Sequence, residues 1–180
     1  MHDRIKGFTQ AEIERWGNEI QHRLADSEIF QKASSIAIYA SYRNEVNTQF
    51  LFEQAKQKRK RIAYPKVEDA KGELIFYWVD SESDLVVSKW GPLAPDSSRL
   101  ERAPLASIDL MIIPGIAFDL QGGRLGRGKG FYDRTLQKFS GIRMGIAYAF
   151  QVLEQLPHQP WDEPVQWLAT EDQLLVLRGR

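Results

Sequence analysis

The 180-residue chain contains no cysteine. That absence removes a disulfide framework, thiolate metal ligation and a cysteine nucleophile together. Net charge is also lacking: 24 Lys and Arg balance 24 Asp and Glu, which argues against global attraction to nucleic acid or an anionic membrane. No stretch approaches the ~18 consecutive apolar residues that a membrane span needs. The start, from Met1 to Trp16, has no apolar run of the kind that marks a secretory leader. Repeats, low-complexity tracts and a Gly/Pro-rich linker are missing too. What is there, 43% hydrophobic and 11% aromatic residues, is the composition of a folded globule. The expectation is one domain over residues 1–180, a cytoplasmic monomer with neither nucleic acid nor membrane as partner.

Hydrophobic spacing outlines the elements. Thr9-Gln-Ala-Glu12 has the capping-box pattern, and Ile13, Trp16, Ile20 and Leu24 follow at helical spacing. This predicts a helix to about residue 30. Ser35–Ala40 reads as a buried strand, and Thr48 to about Lys60 as an amphipathic helix ending in a basic run. Positive charge is favoured at a helix C-terminus, which makes that run a solvated helix end. Strands are expected at Arg61–Tyr64, Glu73–Val79, Ile108–Ile113, Ile142–Ala147 and Val165–Ala169, with an edge piece at Leu174–Leu177. Residues 80–107 are polar and Pro-bearing and read as mostly loop. Strands alternating with helices imply an α/β fold with a mostly parallel central sheet.

Chemistry concentrates in Pro114–Arg134, which follows the strongest strand and precedes a helix over about Phe131–Phe139. Open α/β sheets bind ligands at such junctions. Gly126, Gly128 and Gly130 alternate with Arg127 and Lys129. Glycine permits positive φ and close approach, so successive N–H groups can form an anion nest. Arg124, Arg127 and Lys129 add positive charge, and the combination suits a polyphosphate. The dinucleotide fingerprint G-x-G-x-x-G fails, because the third glycine comes one residue early. The P-loop pattern fits through Gly123…Gly128-Lys129, but Gly130 stands where the Mg²⁺-binding hydroxyl belongs. Asp133 is the nearest carboxylate able to hold the metal instead. His2, His22 and His158 share no metal-ligand spacing. Tyr42, Trp90 and Tyr132 could stack on a flat ring.

Pro114-Gly-Ile-Ala-Phe-Asp119, followed by Arg124-Leu-Gly-Arg-Gly-Lys-Gly-Phe-Tyr-Asp-Arg134, resembles the signature of 5-formyltetrahydrofolate cyclo-ligases, also called 5,10-methenyltetrahydrofolate synthetases. Weaker similarity at Ser41–Thr48, Pro65, Trp90–Pro95, Gln151, Leu156-Pro157, Asp162 and Thr170-Glu171 extends it over roughly residues 10–175. The resemblance implies a three-layer α/β fold similar to the sugar-phosphate isomerase and CoA-transferase superfamily. It implies ATP- and Mg²⁺-dependent cyclisation of 5-formyltetrahydrofolate to 5,10-methenyltetrahydrofolate, with ADP and phosphate released. By position, Arg124, Leu125, Gly126, Arg127, Gly128, Lys129, Gly130, Phe131 and Tyr132 inherit ATP binding, with Arg127 and Lys129 as the catalytic cations. Asp133 and Asp162 inherit the metal; Ala40 and Glu45 inherit the folate. The family's N-terminal lysine–arginine pair is matched only by Arg4 and Lys6, in reversed order. A non-catalytic folate- or nucleotide-binding paralogue, or another small-molecule phosphotransferase, would share the same loop.

Overall fold

A computed structural model of the chain describes Ile5, residues 7–68 and residues 72–177. His2, Arg4 and Lys6 lie outside the described residues. Helix α1 (Gln10–Asp26) opens on the capping box: the Thr9 hydroxyl accepts from Glu12 N–H, and the Glu12 carboxylate accepts from Thr9 N–H. Ile20 and Leu24 on its inner face are fully buried. The expected single helix is split at Ser27. The Ser27 hydroxyl donates to the Leu24 carbonyl and accepts from Phe30 N–H, ending α1 and capping α2 (Glu28–Lys32).

Strand β1 (Ser35–Ala37) is followed by α3 (Gln49–Gln57) and β2 (Arg61–Glu68). The Thr48 hydroxyl does not cap α3; it donates to the Tyr39 carbonyl instead. The basic run after α3 is not all solvated. Lys60 Nζ donates to the Gln31 and Ala33 carbonyls, satisfying the end of α2. Strand β2 runs through Pro65, beyond the expected end at Tyr64. Of β2, only Arg61–Ala63 pair with β1, so at Pro65 one side of β2 is already an edge, where proline is tolerated.

The chain continues through β3 (Glu73–Trp78), β4 (Leu85–Val87), β5 (Leu93–Pro95), β6 (Arg102–Ala103), β7 (Leu110–Ile113), β8 (Ala117–Asp119) and β9 (Arg124–Leu125). It closes with α4 (Phe131–Leu136), β10 (Ile142–Ile146), β11 (Val152–Leu153), β12 (Trp167–Ala169) and β13 (Leu174–Val176). The main sheet has the order β13-β12-β10-β7-β1-β2-β3-β6. Its five central strands, β12 to β2, are parallel, and β13, β3 and β6 add antiparallel edges. Residues 80–107 are mostly loop, as expected, with short strands among them. They hold the β4–β5 hairpin and the outermost strand β6, whose two or three residues are too short to show a period.

Side chains alternate between two cores. Ile36, Ile62, Leu110, Ile112, Met144 and Ile146 pack under α1–α3. Ala37, Ala63, Met111, Ile113 and Ala147 face the opposite core with Leu136 of α4. Burial on both faces explains why these strands read as unbroken apolar runs. The layering follows from connection handedness. The β1–α3–β2 crossover moves one way along the sheet and the β7–α4–β10 crossover the other. Right-handed connections in opposite directions place their helices on opposite faces. The strand order therefore reverses between β1 and β7, and the carboxyl ends of those two strands open one crevice.

Candidate active site

A cleft of about 990 Å³ occupies that crevice. One wall is Pro114–Ile116 and Arg124–Asp133, which leave β7 and return over the sheet end. The loop is rooted in a strand pair that sequence periodicity missed. Strand β8 pairs antiparallel with β9 and parallel with β11, and Ile116 N–H donates to the Leu125 carbonyl. Gly128 (φ 80°) and Gly130 (φ 66°) occupy left-handed backbone, which glycine alone adopts at little cost. Gly130 caps α4, but that helix is only six residues long. The anion nest and its cations, rather than a helix dipole, therefore carry the positive field.

The three cations of the loop take different places. Lys129 is exposed and lines the cleft. Arg127 is half-exposed and reaches across to the segment after β1, where its Nη2 donates to Glu45 Oε1 at 2.8 Å. Arg124 is only 5% exposed; its Nη2 donates to Asp133 Oδ1 at 2.7 Å, and its guanidinium lies 5.3 Å from the centre of the Tyr132 ring. Arg124 Nε is buried without a hydrogen-bond partner.

The opposite wall begins at Tyr39, Ala40 and Glu45. Tyr42 N–H donates to Glu45 Oε2 at 3.0 Å, which closes the turn and aims the other carboxylate oxygen at Arg127. Partial burial holds the Glu45 carboxyl above its ordinary value, opposed by the Arg127 charge and the Tyr42 N–H. Burial also pushes the Tyr39 and Tyr132 phenols well above theirs, with the Glu45 charge adding to both. Neither phenol is a base at neutral pH. Further along this wall, Val86, Val87, Trp90 and Leu93 of the β4–β5 hairpin, 43–78% exposed, give an apolar stretch beside Lys66, Ser88 and Lys89. Trp90 meets Phe131 of α4 edge-on at 5.9 Å.

Three comparisons place this arrangement among known proteins. The model of the 5-formyltetrahydrofolate cyclo-ligase family matches residues 3–171. The 5-formyltetrahydrofolate cyclo-ligase of Escherichia coli K12 is 32% identical over 171 residues, 93% of this chain and 94% of that protein. The Haemophilus influenzae protein of the same name is 34% identical over 139 residues, 75% of this chain and 74% of its own. The chain belongs to the 5-formyltetrahydrofolate cyclo-ligase family. Among solved structures, the Aquifex aeolicus 5,10-methenyltetrahydrofolate synthetase superimposes with a TM-score of 0.85 at 38% identity, covering 99% of this chain and 90% of that one. The Mycoplasma pneumoniae synthetase gives 0.72 at 28% identity, covering 91% and 90%.

The residues singled out by resemblance to this family come together. Ala40, Glu45, Arg124–Tyr132, Asp133 and Asp162 all line the one cleft. Asp133 is turned to Arg124, and Asp162 Oδ2 accepts from Gln159 N–H at 2.8 Å. Among the described residues, no three His, Cys, Asp or Glu side chains cluster as a metal cage. Mg²⁺ does not require one; it commonly takes one or two carboxylates together with phosphate oxygens and water. A carboxylate has two oxygens and can serve a guanidinium and a cation together. Asp133 and Asp162 therefore fit a magnesium ion that arrives with a polyphosphate.

Three of the site's structural parts escaped sequence reasoning. The Tyr42 ring, read from sequence as able to stack on a flat ring, has two guanidiniums near its centre, those of Arg43 at 5.0 Å and Arg127 at 5.2 Å. Arg43 itself has φ 58°, a left-handed conformation that nothing in the identity of an arginine signals. Gln151 donates to the Gly115 and Ile116 carbonyls and accepts from Tyr148 N–H, bracing the turn after β7. Its presence in the resembling positions was the available hint.

Proposed function

We propose that this chain cyclises 5-formyltetrahydrofolate to 5,10-methenyltetrahydrofolate with consumption of ATP, on an α/β scaffold related to the sugar-phosphate isomerase and CoA-transferase superfamily. The observation that carries the reading is the Arg127–Glu45 contact. It brings the phosphate loop and the residue inherited for folate to opposite sides of one cleft, within reach of a shared reacting centre. Membership of the cyclo-ligase family supports the substrate class.

The chemistry follows from the substrate. An N-formyl group is an amide, a poor electrophile, and ring closure must expel its oxygen. In the first step the formyl oxygen bonds to the γ-phosphorus of ATP while the bond to the bridging oxygen breaks and ADP leaves. N10 then attacks the activated formyl carbon, loses its proton, and the former formyl oxygen departs within inorganic phosphate. Such a transfer requires alignment and charge neutralisation more than a covalent catalyst. Backbone N–H groups of Gly126–Gly130 cradle the phosphates, and Arg127 and Lys129 neutralise the charge that builds on them. Glu45 and Ala40 hold the folate. Asp133 and Asp162 would hold Mg²⁺, which supplies further neutralisation of the phosphate oxygens when bound. Trp90 and its hairpin neighbours cover the ring system.

The reading extends to one functional unit over residues 1–180, a cytoplasmic monomer with no nucleic-acid or membrane partner. That both cores flank one sheet supports the single unit. The test is optical detection of 5,10-methenyltetrahydrofolate from 5-formyltetrahydrofolate, with and without ATP and Mg²⁺. Product only when both are present is the expected result. Folded protein that binds ATP without forming product would be a non-catalytic paralogue. Protein that consumes ATP with another acceptor and leaves the formylfolate intact would be a different phosphotransferase.

A further inference from the structure

Asp119 ends the Pro114–Asp119 motif, is fully buried, and takes no part in the reaction just derived. Its carboxylate accepts from three backbone N–H groups. Oδ1 receives Gln121 at 2.9 Å and Gly123 at 2.7 Å, and Oδ2 receives Leu156 at 2.9 Å. The first two bonds close the turn between β8 and β9, one residue before Arg124 and the phosphate loop. The third comes from 37 positions further along the chain. Leu156 precedes Pro157, Gln159 and Asp162, all of which line the cleft. One acid therefore ties the root of the phosphate loop to the root of the segment that carries Asp162.

The site is matched to an aspartate by two further facts. A carboxylate is an acceptor at both oxygens, whereas an amide would set an NH₂ against one of the three N–H donors. At Gly123 an added Cβ would stand 2.6 Å from Asp119 Oδ2, so the facing residue has no room for a side chain. Strand pairing alone does not make this link: β8 meets β11 only through Phe118–Val152 and Asp119–Leu153, and the chain must still be held at Leu156.

We propose that Asp119 is a positioning residue for the phosphate end of the cleft, fixing the separation between the Arg127–Lys129 loop and Asp162. The proposal rests on the nucleotide site assigned above. Its test is therefore read both as the KM for ATP and as equilibrium affinity for ATP–Mg²⁺, since the second needs no turnover.

Asp119→Asn should weaken ATP–Mg²⁺ affinity and raise the KM for ATP by about tenfold or more, and raise the Mg²⁺ concentration needed for half-maximal rate. The KM for 5-formyltetrahydrofolate should stay within about threefold. Gly123→Ala, which crowds the same carboxylate from the other side, should give the same asymmetry. Leu24→Val, a core variant on α1 that does not line the cleft, supplies a control that lowers Tm and leaves both KM values alone. If Asp119→Asn is recovered only unfolded, Gly123→Ala decides by itself. Variants that lose Tm as the control does, with wild-type ATP affinity and KM, would overturn the proposal. Wild-type protein that binds ATP but makes no product would overturn the assigned reaction, while the affinity comparison would still decide the role of Asp119.

Discussion

The two walls of the cleft are built on different terms. The phosphate-loop wall is held from within: β8 is paired on both sides, Arg124 is buried against Asp133, and Asp119 closes the supporting turn. The hairpin wall consists of two three-residue strands with valine, leucine and tryptophan side chains left open. The difference matches the role proposed for each wall. An anion is bound by donors whose direction and spacing matter, so preorganised geometry determines how well it is held. The ring faces proposed to meet the hairpin gain from the removal of water, which has no direction, so a less braced surface serves that contact well. Rigidity is spent where charge is handled and left out where shape suffices.

That contrast can be broken first on the charged side. Lys129→Ala should reduce kcat/KM for the ATP-dependent reaction by about 100-fold or more, the usual scale for removing one charge-stabilising donor. Thermal stability should stay within about 0.5 kcal/mol, because the side chain is exposed. Near-wild-type turnover in this folded variant would remove the loop from the active site. A smaller effect is expected from the apolar wall. Trp90→Ala should raise the KM for 5-formyltetrahydrofolate by about tenfold, as loss of roughly 1–2 kcal/mol of ring contact implies. The KM for ATP should hardly change. The reverse pattern, ATP weakened and folate unaffected, would exchange the roles of the two walls.

The smallest effect concerns the residue between them. The Glu45 carboxyl sits above its ordinary value because of burial, despite Arg127. A carboxyl raised on folding contributes stability below its unfolded value and loses that contribution as pH climbs through its folded value. Glu45→Gln escapes the loss. Its Tm relative to wild type should therefore become more positive as pH rises from about 4 towards neutrality. A difference that shrinks with rising pH would mean that Arg127 outweighs burial.

Much of this was visible before any coordinates. The capping box at Thr9, the apolar runs at Ile36 and Leu110, and the glycine–cation alternation at 126–130 each express a local rule, so local reading finds them. Ser27 shows the limit: a serine within a helical period is tolerated or a breaker according to which carbonyl and N–H lie nearby. Strands β4, β5, β6, β8, β9 and β11 are two or three residues long, below any measurable period, and owe their existence to their neighbours. The site divides the same way. The loop residues and Glu45 were legible as chemistry and by resemblance to a family. That Arg127 faces Glu45, whereas Arg124 turns inward to Asp133, depends on side-chain direction at the ends of β1 and β7, which spacing does not encode.

The seam between β1 and β7 also governs when the site can exist during folding. It pairs Ile36 with Leu110 and Ala37 with Met111, closing a loop of more than seventy residues, and parallel contacts of that span form late. Glu45 lies just beyond one side of the seam and Arg127 beyond the other. A chain that has formed its helices and the β2–β3 hairpin but not this closure has no cleft at all. Recovery of ATP-dependent turnover during refolding is therefore a direct clock for completion of the sheet.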